Sequence, residues 1–262
     1  MKMIKSGWEQ FKHYRPLMEQ LVIKDIKLKY RRSFLGYVWS ILNPLMIMII
    51  MVIVFSQMFR FDIENYPVYF IIGSTLFNFM TDSTTQAMWS ITGNAALLKK
   101  TYVPKYIFTL SKITSSLVNT LFSLGAMLIV FVVCDVHFNI YMLWIIAVLL
   151  QVYLFSMGLG LFLAQGTVFF RDIQYIYSAV TTAWTYLTPI FYPIASLPES
   201  IQMIIKIFNP MYGYIEQFRL IVLNNTFPDI KMIISGFVIA LLSLLIGSCA
   251  FLRAQDKFIL YI

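Results

Sequence analysis

The stretch Val136–Phe170, VHFNIYMLWIIAVLLQVYLFSMGLGLFLAQGTVFF, runs for 35 residues without a single Asp, Glu, Lys or Arg. About 20 apolar residues, rising 1.5 Å each, span a hydrocarbon layer ~30 Å thick, so this block can cross a bilayer with residues to spare. Four further uncharged blocks repeat the pattern at 33–59, 113–134, 173–198 and 232–252, and a sixth, 66–89, is broken only by Asp82. The 262 residues are 60% hydrophobic and only 12% charged, about half the charge of a soluble domain. The composition argues against a water-soluble enzyme. The chain reads as an all-α polytopic membrane protein with six transmembrane helices, an N-terminal interfacial helix and two short re-entrant outer helices between spans five and six. The spans are expected at about 35–59, 66–90, 106–134, 140–168, 173–195 and 232–252, with a cytoplasmic region 1–32 before them and a tail 253–262 after them.

Six spans put both termini on one side, and the distribution of charge says which side. With the N-terminus cytoplasmic, the inner segments 1–32, 92–112, 169–172 and 253–262 carry 16 of the 20 basic residues, leaving Arg60, Lys206, Arg219 and Lys231 outside. The net charge is then +11 inside and −2 outside, as the positive-inside rule requires. The basic surplus faces anionic headgroups and a cytoplasmic partner, so the sequence pI of about 9.4 does not call for nucleic acid. The first apolar run starts after 32 mostly polar residues and is too long for a signal h-region, so no signal peptide is expected. Cys134 and Cys249 fall near opposite membrane faces, too far apart for a disulfide.

Several stretches carry more than hydrophobicity. In Pro16–Arg32, Met18, Val22, Ile23, Ile26 and Tyr30 share one helical face and Gln20, Lys24, Lys27 and Arg31 another, which fits either a helix lying at the inner leaflet or an ordinary basic flank. The first span holds Trp39 near its inner boundary and the kink-forming pair Asn43–Pro44. In the second, Asp82 stands among Thr81, Ser83, Thr84, Thr85 and Gln86. An acid at mid-membrane is costly, so this face turns from lipid, toward a water-lined path or an interhelical hydrogen-bond cluster. Asn94–Lys105, NAALLKKTYVPK, reads as a short helix closed by Pro104, offering Leu97 and Leu98 beside Lys99 and Lys100 as a docking element or a topogenic loop. Gly158 and Gly160 permit close helix approach.

The fifth span has two unlike sides. Ile176, Ala179, Val180, Ala183, Leu187 and Ile190 form an apolar stripe, while Tyr177, Thr181, Trp184, Thr188 and Phe191 recur at helical spacing on the rest. Hydroxyls gain nothing from lipid, so the second face is expected to look into protein or a cavity. Pro189 and Pro193 end the helix, and 196–231 reads as two short helices, 201–208 and 211–223, broken at Asn209–Pro210.

None of the 11 glycines precedes a lysine, so the chain has no phosphate-cradling P-loop. His13 and His137 lie on opposite sides of the membrane, and no Cys/His cluster has metal-ligand spacing. With Asp82 as the one plausible intramembrane acid, neither ion coupling nor membrane-embedded catalysis is well supplied. The energy source is expected in another subunit.

The ordered features Leu35-Gly-Tyr37-Val-Trp39-Ser-Ile-Leu-Asn43-Pro44, Asn94-x-x-Leu-Leu-Lys-Lys-x-x-x-Pro104, Phe169-Phe-Arg171-Asp172, Thr188-Pro189-Ile-Phe-Tyr-Pro193, and Asn209-Pro210 with Phe218-Arg219 resemble the type-2 ABC exporter permeases of bacterial polysaccharides. Those permeases serve O-antigen, capsule and teichoic-acid export. The resemblance runs from about Leu17 over nearly the whole chain. It implies a homodimer in the bacterial inner (plasma) membrane, both termini cytoplasmic, with two copies of a cytoplasmic nucleotide-binding ATPase that hold ATP and Mg; this chain itself would carry no cofactor. The substrate implied is a polyprenyl-diphosphate-linked polysaccharide. Tyr37, Trp39, Tyr177, Thr181, Trp184, Thr188 and Phe191 would line the channel. Lys24, Lys27, Asn94, Leu97, Leu98, Lys99, Lys100, Arg171 and Asp172 would couple to the ATPase, and Pro189, Pro193, Asn209, Pro210 and Arg219 would form the outer gate. A permease of the same architecture for a small lipid or drug, or a glycolipid-modifying enzyme using Asp82, are the competing readings.

Overall fold

A computed structural model describes residues 2–31, 36–55, 63 and 65–261. Among them the structure is all-α, with ten α-helices and no strand. The helices are α1 (Lys2–Tyr30), α2 (Trp39–Val54), α3 (Tyr66–Met88), α4 (Ala95–Leu98), α5 (Tyr106–Val133), α6 (Ile145–Phe169), α7 (Ile173–Leu187), α8 (Glu199–Phe208), α9 (Pro210–Val222) and α10 (Ile230–Ala254). Four stretches are long and apolar enough to cross a membrane: Gly36–Val54, Tyr106–Val133, Ile140–Phe169 and Ile230–Leu260. The outer end of the first expected span and the hairpin at 60–64 lie outside the described residues.

The other two expected spans differ for visible reasons. Helix α3 has 23 residues, but its Asp82 patch lowers its hydropathy; it is the central helix, with 15 residues buried. Around it pack α2, α5, α6 and α9, against fully buried Phe70, Ile72, Leu76 and Met80. Helix α7 stops at Leu187 after 15 residues, ~22 Å of rise. The expected span 173–195 is therefore helical only as far as Leu187: Thr188 is extended, the conformation that a following proline imposes.

Helices α6 and α10 lie closest together. A Cβ on Gly158 would strike the Ser243 carbonyl, and one on Gly247 the Gly158 carbonyl oxygen. Gly160 faces elsewhere, where a Cβ would stand 2.9 Å from Ile113 of α5 and 3.0 Å from Ala87 of α3. Burying α6 against α10 without large side chains replaces lipid contact by backbone-to-backbone dispersion.

Helix α1 starts at Lys2, well before the expected Pro16, which sits inside it. It packs along α5, held by the ion pair from Lys112 Nζ to Asp25 Oδ1 at 2.8 Å and a hydrogen bond from Ser115 Oγ to Asp25 Oδ2 at 3.4 Å. The expected apolar face is largely the one that packs: Val22 is buried and Met18 and Ile26 are half-buried, whereas Ile23 points outward together with Leu28. The tail is not free either. Residues Gln255–Leu260 form a 3₁₀ segment whose Phe258 is fully buried, its ring 5.2 Å from Phe251 and 5.9 Å from Phe169.

Candidate functional site

Three groups of residues converge in space. The first is a knot at the end of α7. The Asn209 side chain caps α9, accepting from Tyr212 N at 3.3 Å, and its Oδ1 also accepts from Trp184 Nε1 at 2.9 Å. Its Nδ2 donates to Thr188 Oγ1 at 2.9 Å, while that hydroxyl donates to Trp184 O at 2.8 Å. The amide orientation follows from this chain: Thr188 has spent its only proton, so it can only accept. Pro210 then opens α9 at the position where a missing N–H costs nothing.

Arg219 ties the same knot from below. It is 3% exposed, donating Nη1 to Pro189 O at 2.7 Å and Nη2 to Tyr69 O at 3.1 Å. Its guanidinium lies 3.3 Å from the centroid of the Tyr69 ring, a cation–π contact in a dry setting. A Cβ at position 73 would stand 2.9 Å from Arg219 Nη2, so Gly73 makes the room. Tyr69 Oη donates toward Pro189 O at 3.1 Å and Tyr192 O at 2.9 Å, and Tyr66 Oη donates to Phe191 O. One turn before Arg219, burial raises the Glu216 carboxyl above its ordinary range, with Arg219 and Lys206 pulling it back. Among the described residues no carboxylate forms an ion pair with Arg219. Among the described residues this buried cation is held by two carbonyls and a ring, with the Glu216 charge nearby, and it keeps its neighbours in one arrangement because loosening would strip its hydrogen bonds. Pro193 lies just beyond, where its carbonyl accepts from Ser196.

Of the residues expected to face a channel, those of α7, with Thr188 and Phe191 after it, are packed within the protomer. Tyr177 and Thr181 are each 7% exposed and Thr188 is fully buried. Tyr177 Oη lies 2.6 Å from Thr84 Oγ1 of α3. Trp184 meets Phe77 and Phe155 edge-on at 6.0 and 6.3 Å, and Phe191 stacks on Phe55 at 5.6 Å and lies 5.7 Å from Phe70. Within the protomer, the aromatic and threonine face of α7 is inside protein. The open face instead carries Tyr175, Ile176, Val180, Thr182, Tyr186 and Leu187. Tyr37 and Trp39 are exposed at 46% and 43%, with Tyr37 near Phe122.

The second group is the face presented by the 94–105 loop, the 170–172 turn and α1. Leu97 is exposed but Leu98 is 5% exposed, packed with Ile91, Phe108 and Phe251, so only one of the expected leucine pair is available. Lys99, Lys100, Arg171 and Asp172 are all exposed; among the described residues no ion pair joins Arg171 to Asp172. Asn94 Nδ2 donates to Ser90 O at 2.8 Å, fixing the start of α4. Lys24 and Lys27 line a shallow groove on α1 with Gln20, Ile23, Leu28 and Arg31. Lys105 Nζ donates to Gln255 O at 2.6 Å, so the tail joins the 94–105 loop to the Phe169 turn.

The third group surrounds Asp82, whose Oδ2 accepts from Gln86 Nε2 at 2.9 Å and Ser116 Oγ at 3.1 Å. It thus forms an interhelical cluster with α5, one of the two sequence readings, and it also lines a cavity.

Sequence reasoning missed Tyr69, Gly73, Asp25, Lys112 and Phe258. Their signals, an acid on a basic helix and an aromatic in a polar tail, point to a partner without naming it.

The chain is similar along most of its length to known proteins. It is 28% identical over 246 residues to the O-antigen export system permease protein RfbA of Myxococcus xanthus, covering 94% of this chain and 95% of that one. The protein of the same name from Klebsiella pneumoniae is 29% identical over 237 residues, covering 88% and 91%. The capsule polysaccharide export inner-membrane protein CtrC of Neisseria meningitidis serogroup B is 23% identical over 217 residues, covering 82% of each. A family model described as ABC-2 type transporter matches residues 17–223, the region that contains both the Asn209–Arg219 knot and the 94–105 and 170–172 loops, and the chain belongs to that family.

Proposed function

We propose that this chain is the permease subunit of an ATP-driven exporter that moves lipid-linked polysaccharide across the inner membrane. The observation that carries this reading is the near end-to-end similarity to an O-antigen export permease, at 94% and 95% coverage. The geometry supports it. In the apolar stretch containing α2, only 6% of residues are buried, and the open face of α7 shows Tyr175, Thr182 and Tyr186. Such hydroxyls have no reward in lipid, whereas at a homodimer seam they would border a passage. Planar rings there would stack on sugar C–H faces, and threonines would offer exchangeable polar contacts, so a polymer could slide.

In this reading α3 and α7 complete six spans, and α8 and α9 dip into the outer leaflet as the gate. Both termini and the 94–105 and 170–172 loops face the cytoplasm. Leu97, Lys99, Lys100, Arg171 and Asp172 meet one of two ATPase copies, which hold ATP and Mg; Lys24 and Lys27 on α1 flank the same docking face. The polymer arrives on a polyprenyl-diphosphate carrier. The knot of Asn209, Thr188, Pro189 and Arg219 sets the resting position of the gate.

The test is ATP-dependent appearance of lipid-linked polymer outside cells expressing this permease with and without its partner ATPase. Export is expected only with both. Export that persists without any ATPase would overturn the reading.

A further inference from the structure

The six residues Gln255–Leu260 that follow α10 form a 3₁₀ segment, longer than the ~3–4 residues at which such helices usually stop, so packing holds it in place. The packing comes from one side chain: Phe258 is fully buried, while Ile259 and Leu260 beside it are 52% and 81% exposed. The apolar cluster that encloses Phe258 takes Leu98 and Val103 from the 94–105 loop, Val168 and Phe169 from the end of α6, Leu21 from α1 and Phe251 from α10. Just outside that cluster stand the exposed charges Lys99, Lys100, Arg171 and Asp172. We propose that Phe258 and Lys105 are positioning residues for energy coupling: they brace the 94–105 loop and the 169–172 turn into one body, so that a displacement imposed on either by the ATPase reaches α5, α6 and α10 together. The proposal rests on the export reading above, in which both loops meet the ATPase, and adds to it the part of the permease that carries the force inward.

Lys105 ties the same parts by charge. It is the N-cap of α5, where the positive end of the helix dipole disfavours a cation. Its ammonium reaches away from that end, donating to Gln255 O at 2.6 Å and lying 6.0 Å from the centre of the Phe258 ring. Gln255 is the C-cap of α10, where carbonyls lack partners within the helix and the dipole favours a cation. One side chain thus joins the start of α5 to the end of α10. Being committed there, it differs from Lys99 and Lys100, which are exposed to a partner. Tyr14 Oη of α1 donates to Tyr102 O at 3.1 Å, and the Tyr261 ring meets Phe169 edge-on at 4.9 Å, so the loop and the turn are each held a second time.

The docking elements have little stiffness of their own. Helix α4 has four residues, 101–105 is irregular and 170–172 is a turn. Segments with few buried contacts open at low cost, and such a segment would yield under a partner's push instead of moving the helix behind it. Coupling between distant sites is carried by packed side chains and rigid elements, and here the packed group is the cluster closed by Phe258.

The experiment compares the parent exporter, permease with its partner ATPase, against exporters carrying Phe258→Ala or Lys105→Met. Three quantities are read: ATPase co-purified per permease, polymer reaching the lumen of inverted vesicles per ATP hydrolysed, and tryptic cleavage of the permease alone in such vesicles. Both variants are expected to bind the ATPase as the parent does and to move about tenfold less polymer per ATP, within the ~5–150-fold range of couplings between sites. Both should also be cut faster at Lys99–Lys100 and at Arg171 alike, because one brace holds both loops. Phe258→Leu and Lys105→Arg, which keep an apolar filling and a donor, should recover most of the yield per ATP. Gel filtration checks folding, and if one variant misfolds the other decides. Parent-like yield per ATP in a folded variant, or transport lost only in proportion to lost ATPase binding, would overturn the proposal. So would cleavage at parent rates in an exporter that still requires its ATPase, an outcome that leaves the export reading intact; parent transport without any ATPase would overturn both.

Discussion

Replacing Asn209 with alanine should loosen the knot at the end of α7 by a calculable amount. The side chain caps α9 through Tyr212 N and serves Trp184 Nε1 and Thr188 Oγ1. Loss of an N-cap costs ~1 kcal/mol, and an indole N–H left without its acceptor adds ~1–3 kcal/mol when buried. Trp184 is half-buried, so the lower part of that range applies, giving a total of about 2–3 kcal/mol. For a chain of this length each kcal/mol shifts the midpoint by ~2–4 °C, which predicts a fall of about 5–10 °C in apparent Tm, read by gel filtration after graded heating in detergent. Asn209→Ser keeps a capping oxygen for Tyr212 N but cannot serve Trp184, so it should recover the ~1 kcal/mol of the cap and fall by less than the alanine variant. An alanine variant melting within about 1 °C of the parent, or a serine variant as unstable as the alanine one, would refute the network as drawn.

The two leucines of α4 should separate cleanly. Leu97→Asp should abolish co-purification of the partner ATPase while the permease elutes normally, whereas Leu98→Asp should cost the folded protein itself, since Leu98 is 5% exposed; equal behaviour of the two would contradict their placement. Gly247→Val drives a side chain into the Gly158 carbonyl, where overpacking beyond the usual ~1–3 kcal/mol is expected because backbone cannot yield like a side chain, and recovery of folded protein by fluorescence gel filtration should collapse. Asp25→Asn removes the charge facing Lys112, worth ~1–2 kcal/mol for a partly screened pair. Its readout is faster proteolysis within α1 at unchanged global stability, and protection equal to the parent would exclude the anchor.

Much of the site was legible in the residues and much was not, and the division is physical. Asn209–Pro210 announces a helix break and cap locally, as Asn94 to Pro104 announces a short closed helix, because caps and prolines act on their own neighbours. The facing of α7 was ambiguous between cavity and protein. It was decided by Thr84, Phe77 and Phe155 on other helices, which no periodicity within α7 can reveal. Leu97 and Leu98 are alike in sequence and opposite in exposure, because the second meets Phe108 and Phe251 from remote segments. Asp25 was an unassigned acid until Lys112 came beside it.

By itself the sequence indicated an all-helical chain with long apolar spans, the side its basic residues would favour under the positive-inside rule, and the break at Asn209–Pro210. Those properties are sums over local composition: transfer of apolar residues into lipid, charge beside headgroups, and backbone groups lost at proline. Only the tertiary structure decided that the aromatic face of α7 is core, that Arg219 is buried under Tyr69, that the tail joins the 94–105 loop to the Phe169 turn and that Asp82 opens on a cavity. Each depends on which distant side chain fills the facing space, and packing of that kind is a property of pairs of helices, which neither helix carries alone.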